Sequence, residues 1–332
     1  MDPRVSLILP AYNAERYLER WFERNVFTQT FRPFEVVVVN DGSTDSTEAM
    51  ANQYAAKLET CGIHFQYVYQ QNQGVGSAVN AALKMFTGDY FVMIDADDFL
   101  TPDSIEKRVR FLETHPEYGF VRSDGVILNH DNLDVPIRRL SSHNPNRFNE
   151  RIFDDLLLEK TYCTPGCYML RSSAFLEINP DRSIYPARAG QNWQILLPMA
   201  WHYRCGFIDE PLFNYVIYPN SITHRVKTLN DILSHIDSGD DILQNILPNI
   251  DGLDWPYYKP IVACKDARKK LWLAFDFKNY DLAVKCVSRL RDNKDLRKFD
   301  LLLMYGARWS ILNWVMCHLR KMVRYVKLKV RN

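Results

Sequence analysis

Short apolar runs alternate with amphipathic stretches along the first hundred residues. Val5-Ser6-Leu7-Ile8-Leu9 is a strand-like run that Pro10 ends, since a proline ring has no N–H for a ladder. From Ala14 to Thr28, Tyr17, Leu18, Trp21 and Phe22 fall on one side, the spacing of a helix. Phe34-Glu35-Val36-Val37-Val38-Val39 is rich in β-branched residues and reads as a parallel strand covered on both faces. Asn40-Asp41-Gly42-Ser43 is turn chemistry, with Asp45 or Ser46 as N-cap of a helix reaching Leu58. A strand over His64 to Tyr69, a helix over Gly76 to Phe86, a strand over Tyr90 to Ile94 and a helix opened by Pro102 continue the series. Strand and helix in turn predict right-handed βαβ units around a parallel sheet.

After about residue 115 the regularity fades. Short strands are predicted at Gly119 to Arg122, Cys167 to Leu170 and Cys205 to Ile208, and helices at Phe148 to Leu158 and Asn192 to Tyr203. Leu128 to Asn146 is polar and reads as a loop. Beyond about Arg225 only helical patterns remain, at about 228–247, 259–276, 279–291 and from 296 to the end. The expected organisation is an α/β domain over 1–225, with a mostly parallel sheet flanked by helices, and a helical C-terminal region over 226–332.

Composition narrows the function classes. A net charge of +1 gives no pull toward nucleic acid. No apolar run is long enough to span a membrane, and Met1-Asp2-Pro3-Arg4 leads straight into a strand without the layout of a signal peptide. The seven cysteines are odd in number and irregularly spaced, the mark of free thiols in a reducing cytosol; a cytoplasmic location is expected. Cys163 and Cys167 lack the second pair that a zinc site requires.

In open parallel sheets, ligands bind beyond the carboxyl ends of the strands. Polar segments fall at those ends: Pro10-Ala11-Tyr12-Asn13, Asn40-Asp41-Gly42-Ser43, Asn72-Gln73-Gly74 and Asp95-Ala96-Asp97-Asp98. Three carboxylates within four residues repel one another unless solvated or neutralised by a cation. Their hard oxygens select Mg²⁺ or Mn²⁺; as plain structure, Asp97 or Asp98 would serve the helix near Pro102. Neither a Gly-x-Gly-x-x-Gly fingerprint nor a Gly-x-x-x-x-Gly-Lys phosphate loop is present.

Together with Leu9, Val38-Val39, Thr44-Asp45-Ser46-Thr47, Ile94 and Gly206-Phe207-Ile208-Asp209-Glu210-Pro211-Leu212, these pieces resemble the family 2 glycosyltransferases of the GT-A fold, across residues 5 to about 225. The resemblance implies nucleotide contacts from Pro10, Tyr12, Asn13, Asp41, Asn72, Gly74, Asp95 and Ala96. Tyr12 would face the base, Asp41 would accept from it, and Asp95 would reach the ribose or the metal. Asp97 would ligate the Mn²⁺ or Mg²⁺ on the donor diphosphate, and a late histidine, His224, would join it. The implied reaction is transfer of a sugar from a nucleotide sugar, UDP-linked, to a saccharide or lipid-linked saccharide acceptor in cell-surface glycan or polysaccharide synthesis, with inversion.

One departure stands out. Where many members carry a Glu-Asp pair with the Asp as general base, this chain has Gln191-Asn192, and an amide cannot accept a proton near neutral pH. Asp124, just after a strand, is the leading substitute, with His224 as the other candidate. Gln191 and Asn192 would then hold sugar hydroxyls, and Glu210 would satisfy nearby backbone groups. A non-catalytic nucleotide-sugar-binding or membrane-associated member of the same fold is the alternative.

The charge is also uneven. From Gly306 to Asn332 there are seven bases and no acid; removing those seven from the 41 bases leaves 34 against 40 acids. On a helical wheel, Leu312, Val315, Met316, Leu319, Met322, Val323, Val326 and Val330 share one face, with bases on the other. Such a helix lies on an anionic membrane, each cation contributing about 1 kcal/mol. Packing on the body, or a partner-binding or homodimer surface, explains the same pattern.

Overall fold

The computed structural model describes residues 4–32, 34–188, 190–219 and 228–329, the side chains of His143 and 321–329 excepted. The chain divides into two compact units, Met1–Arg225 and Val226–Asn332.

The first unit is a nine-stranded sheet with helices. Its strands are β1 (Val5–Ala11), β2 (Phe34–Asp41), β3 (His64–Gln70), β4 (Tyr90–Met93), β5 (Phe99–Leu100), β6 (Tyr118–Asn129), β7 (Asn132–Arg139), β8 (Tyr168–Arg171) and β9 (Arg204–Ile217). Its helices are α1 (Glu15–Phe22), α2 (Thr47–Thr60), α3 (Val75–Met85), α4 (Ser104–Thr114), α5 (Phe153–Leu157), α6 (Ser172–Ile178) and α7 (Gln191–His202). The sheet runs β3-β2-β1-β4-β8-β6-β9-β5, with β7 on β6. The pairings orient β3, β2, β1, β4, β6 and β9 alike and set β5, β7 and β8 against them. The expected α/β architecture is therefore present.

All eight residues of β2 are buried, Glu35 among them. Its carboxylate accepts from Ser6 Oγ (2.6 Å), Thr87 N–H (2.5 Å) and Thr87 Oγ1 (2.9 Å), so the buried charge ties β1 and β2 to the turn before β4. Burial alone would push this carboxyl up; the hydrogen bonds from Ser6, Thr87 and His64 together outweigh it and hold it below its usual range.

The second half of this unit departs from the expected pattern. The segment 128–146, expected as a loop, contains β7, which pairs antiparallel with β6. The strands expected at 119–122 and 205–208 extend to 12 and 14 residues, respectively. Asp209-Glu210 bulges from β9, since Ser123 pairs with Ile208 and Asp124 with Pro211. The helix expected over 148–158 shortens to α5.

The second unit holds α8 (Leu229–Ile246), α9 (Trp255–Asp276), α10 (Tyr280–Asp292), α11 (Lys298–Arg308) and α12 (Ser310–Lys329). Leu271, Phe275, Leu290 and Leu303 lie in its core. The single helix expected from 296 onward is two, broken at Trp309, whose backbone is extended (φ −107°, ψ 113°). Asn313 Nδ2 donates to the Phe275 carbonyl (2.8 Å) and Arg320 pairs with Asp276 (2.9 Å), tying α12 to α9, and Met316 packs against the core.

Candidate active site

The loops after β1 and β2 are bonded to each other. Asn13 takes a left-handed backbone (φ 48°), which asparagine tolerates. Its N–H donates to Ser43 Oγ (2.9 Å), its Oδ1 accepts from Thr44 N–H (2.9 Å), and Ala14 N–H donates to Thr47 Oγ1 (2.8 Å). Pro10 is half-buried, whereas the Tyr12 ring remains 54% exposed at this edge.

Asp41 closes β2 and is buried. Its Oδ1 accepts from Gln70 Nε2 (2.7 Å) and Gln73 N–H (3.0 Å), and its Oδ2 from Gly74 N–H (2.9 Å). Three of the roughly four lone-pair positions of a carboxylate are so occupied, and Asp41 thereby shapes the Asn72–Gly74 turn. One position on Oδ2 is left over. The turn is tight enough to demand glycine. At Gly42 (φ 73°) a Cβ would stand 2.6 Å from Asn72 N, and at Gly74 (φ 92°) 3.0 Å from Arg188 Cγ.

The start of α3 also anchors the segment that leads into α7. Gly76 N–H donates to the Ala187 carbonyl (3.1 Å); Asn80 donates to the Ile184 carbonyl (2.9 Å) and accepts from its N–H (2.6 Å). Gln191 and Asn192 are the first two residues of α7, at the positive end of its dipole. Asn192 lines a small recess with Met93 and Tyr168, and its Oδ1 is buried without a hydrogen-bond partner. Gln194 is buried too, with both amide atoms unpartnered; nothing in the sequence singles it out.

Beyond β4, Asp95, Ala96 and Asp97 are half-buried and Asp98 is buried. Burial and then the nearby Asp97 charge push the Asp95 carboxyl up to about 7. Burial raises Asp97 as well, with Arg20 and Arg16 pulling the other way. Asp98 belongs to the scaffold: its Oδ1 accepts from Val216 N–H (2.9 Å). Neither Asp97 nor Asp98 caps α4, whose N-cap position is Asp103.

Sequence reading missed the cations behind this turn. Arg20 Nη2 donates to the Asp97 carbonyl (2.6 Å) and lies 2.8 Å from Tyr218 Oη. Arg16 stands over the Tyr17 ring, 4.6 Å from its centroid, and His130 stacks on Tyr218 at 5.2 Å. The i, i+4 spacing of Arg16 and Arg20 on a helix opening beside the site is the signal that could have found them.

Asp95 and Asp97 offer hard oxygen donors that disfavour each other's charge, which fits a divalent cation. Among the described residues, no group of three or more His, Cys, Asp or Glu side chains could hold an ion. His224 lies outside the described residues.

Two residues singled out in the sequence meet unexpected surroundings. Asp124 is fully buried; its Oδ1 accepts from Gly125 N–H (2.8 Å) and Ser141 N–H (3.0 Å), and its Oδ2 from Ser141 Oγ (2.6 Å). A carboxylate so enclosed, with Arg139 Nη1 3.7 Å from its Oδ2, braces the segment after β7. Glu210 is exposed on the β9 bulge and pairs with the Lys107 side chain, not with backbone groups.

The family model described as Glycosyl transferase family 2 matches residues 6–178. An uncharacterized glycosyltransferase of Rickettsia prowazekii is 38% identical over 253 residues, covering 75% of this chain and 73% of that one. Among solved structures, Staphylococcus aureus TarS 1-349 in complex with UDP-GlcNAc is similar at a TM-score of 0.59 and 19% identity, covering 94% of this chain and 89% of that one. The mannosyltransferase PcManGT of Pyrobaculum calidifontis, in complex with GDP-Man and Mn²⁺, is similar at 0.51 and 18%, covering 95% and 87%. With this family match and the strand-end geometry, the chain belongs to glycosyl transferase family 2 and is a glycosyltransferase of the GT-A fold.

Proposed function

We propose that this glycosyltransferase moves a sugar from a UDP-sugar to a hydroxyl of a saccharide or lipid-linked saccharide, in surface-glycan or polysaccharide synthesis and with inversion. The observation that carries the reading is the meeting of the β1, β2 and β4 ends at one sheet edge, with paired carboxylates at Asp95 and Asp97. The nucleotide sugars held by TarS and PcManGT support a donor of that class.

Tyr12 offers a ring face to the base, and Asp41 its remaining Oδ2 lone pair. Pro10, Asn13, Asn72, Gly74 and Ala96 border the nucleotide through loops that the hydrogen bonds above hold in place. Asp95 reaches the ribose or the cation, and Asp97 holds Mn²⁺ or Mg²⁺; His224 is assigned as a further ligand on the family resemblance. When bound, the ion supplies positive charge against the departing diphosphate. Gln191 and Asn192 direct amides at sugar hydroxyls from the α7 N-terminus, and the unpartnered Asn192 Oδ1 is an acceptor ready for one.

Titration calorimetry with UDP and a panel of UDP-sugars, with and without Mn²⁺, tests the donor. Cation-assisted uptake is expected, followed by UDP release once an acceptor is added. A second reading, a non-catalytic nucleotide-sugar-binding member, is favoured by the amides at 191 and 192 and by the enclosure of Asp124. Donor binding without release under every donor and acceptor pairing would select it.

A further inference from the structure

The helical unit carries an apolar surface that α12 alone does not account for. On α11, Leu302, Tyr305 and the junction residue Trp309 recur at helical spacing and are exposed, and the Tyr305 and Trp309 rings stack at 5.2 Å. On α12, Ile311 (81% exposed), Trp314 (61%) and Leu319 (55%) continue the set. The inner sides of both helices are already used, by Leu303, Met304 and Ala307 on α11 and by Asn313, Met316 and Cys317 on α12. The exposed set is therefore a second face, left over after the unit has buried its core.

We propose that this face of α11 and α12 seats the protein on an anionic phospholipid surface, and not through α12 alone. Charge complementarity selects the occupant: 306–332 carries seven bases and no acid, six of them besides Arg320, which pairs with Asp276. Self-pairing of the same face would gather two such single-signed segments in one assembly, which repel. Tryptophan and tyrosine suit a boundary that is apolar on one side and wet on the other. Among the described residues no helix is long and apolar enough to cross a membrane, so the contact is one of lying on the surface. It stands apart from the donor chemistry, because the contact requires no nucleotide.

The test uses the full chain with vesicles of phosphatidylcholine alone or with 30 mol% phosphatidylglycerol, roughly the anionic fraction at which polybasic attraction is strong. Co-sedimentation at least about tenfold higher on the anionic vesicles, a blue shift of tryptophan emission and weakening by salt are expected. Ile311→Ser with Trp314→Ala should lose most of that binding while UDP uptake is kept. Lys321→Gln with Arg324→Gln, which leaves the apolar face intact, should lose the preference for anionic lipid. Equal sedimentation on both vesicle types overturns the proposal. So does a dimer, seen by sedimentation velocity, that the Ile311→Ser, Trp314→Ala variant dissociates while vesicle binding stays absent.

Discussion

The guanidinium of Arg20 holds the main-chain oxygen of Asp97 at 2.6 Å, and the same nitrogen lies 2.8 Å from Tyr218 Oη. One side chain from α1 thus fixes the turn after β4 and joins it to the residue that follows β9. The carboxylates proposed to hold a cation sit on a short turn and need such a brace, because a displacement of about 1 Å costs on the order of a hundredfold in rate.

Arg20→Ala is expected to lower kcat/KM about tenfold to a hundredfold. Arg20→Lys should recover only part of the loss, since an ammonium cannot copy the planar guanidinium that lies over the Phe99 and Tyr218 rings. Steady-state UDP release and a thermal melt distinguish this from unfolding: the melt should move by only a few degrees.

Asp97→Ala should remove cation-dependent turnover, with a loss of at least about a hundredfold. A titration of Mn²⁺ into the variant in the presence of UDP should show no cation-assisted heat. Retention of full activity would remove Asp97 from the site.

Asp124→Ala should be felt in stability. Its buried oxygens take bonds from Gly125 N–H, Ser141 N–H and Ser141 Oγ, and three donors left unpaired cost about 2–4 kcal/mol. Urea unfolding reads this directly. Asp124→Asn keeps an acceptor oxygen and should lose less stability, with turnover of the folded fraction unchanged; a collapse of turnover at full stability would restore it as the base.

The first hundred residues were legible because each element there is set locally. The β-branched run of β2 has one plausible environment, and Asn40-Asp41-Gly42 has one plausible backbone. The positions of Asp41 and of the Asp95–Asp98 turn followed from strand ends alone. What stayed hidden depends on contacts distant in sequence. β7 is an edge strand whose alternating Val135 and Ile137 stay exposed and which Pro136 interrupts, so 132–139 looked like a loop. Asp124 looked available because its partner Ser141 lies 17 residues away, across β7. The break at Trp309 has neither glycine nor proline to signal it; the packing of Asn313 and Met316 on the core fixes it.

Acid should act in opposite senses through two single carboxyls, Asp266 and Glu35, and Asp266 in the helical unit gives the cleaner test. Asp266 is buried on α9 with Lys265 Nζ 3.5 Å from Oδ1 and with Oδ2 unpartnered. Burial pushes its carboxyl up to about 6; Lys265 offsets part of this, and Asp240 adds to it. Because the folded value lies above the unfolded one, the folded state binds this proton more tightly. Its stabilising contribution is complete below about pH 4 and is lost as pH rises through about 6, leaving a penalty of about 2–3 kcal/mol at pH 7. Asp266→Asn should therefore raise the melting temperature of the helical unit at pH 7 and change little near pH 4. Glu35, held below its usual range, has the reverse sign: its contribution is present above about pH 4.5 and is lost as pH falls through the folded value. Scanning calorimetry of the full chain, from below the Glu35 value up to pH 8, resolves both. A pH 7 gain absent from Asp266→Asn would show that Lys265 already neutralises the buried charge.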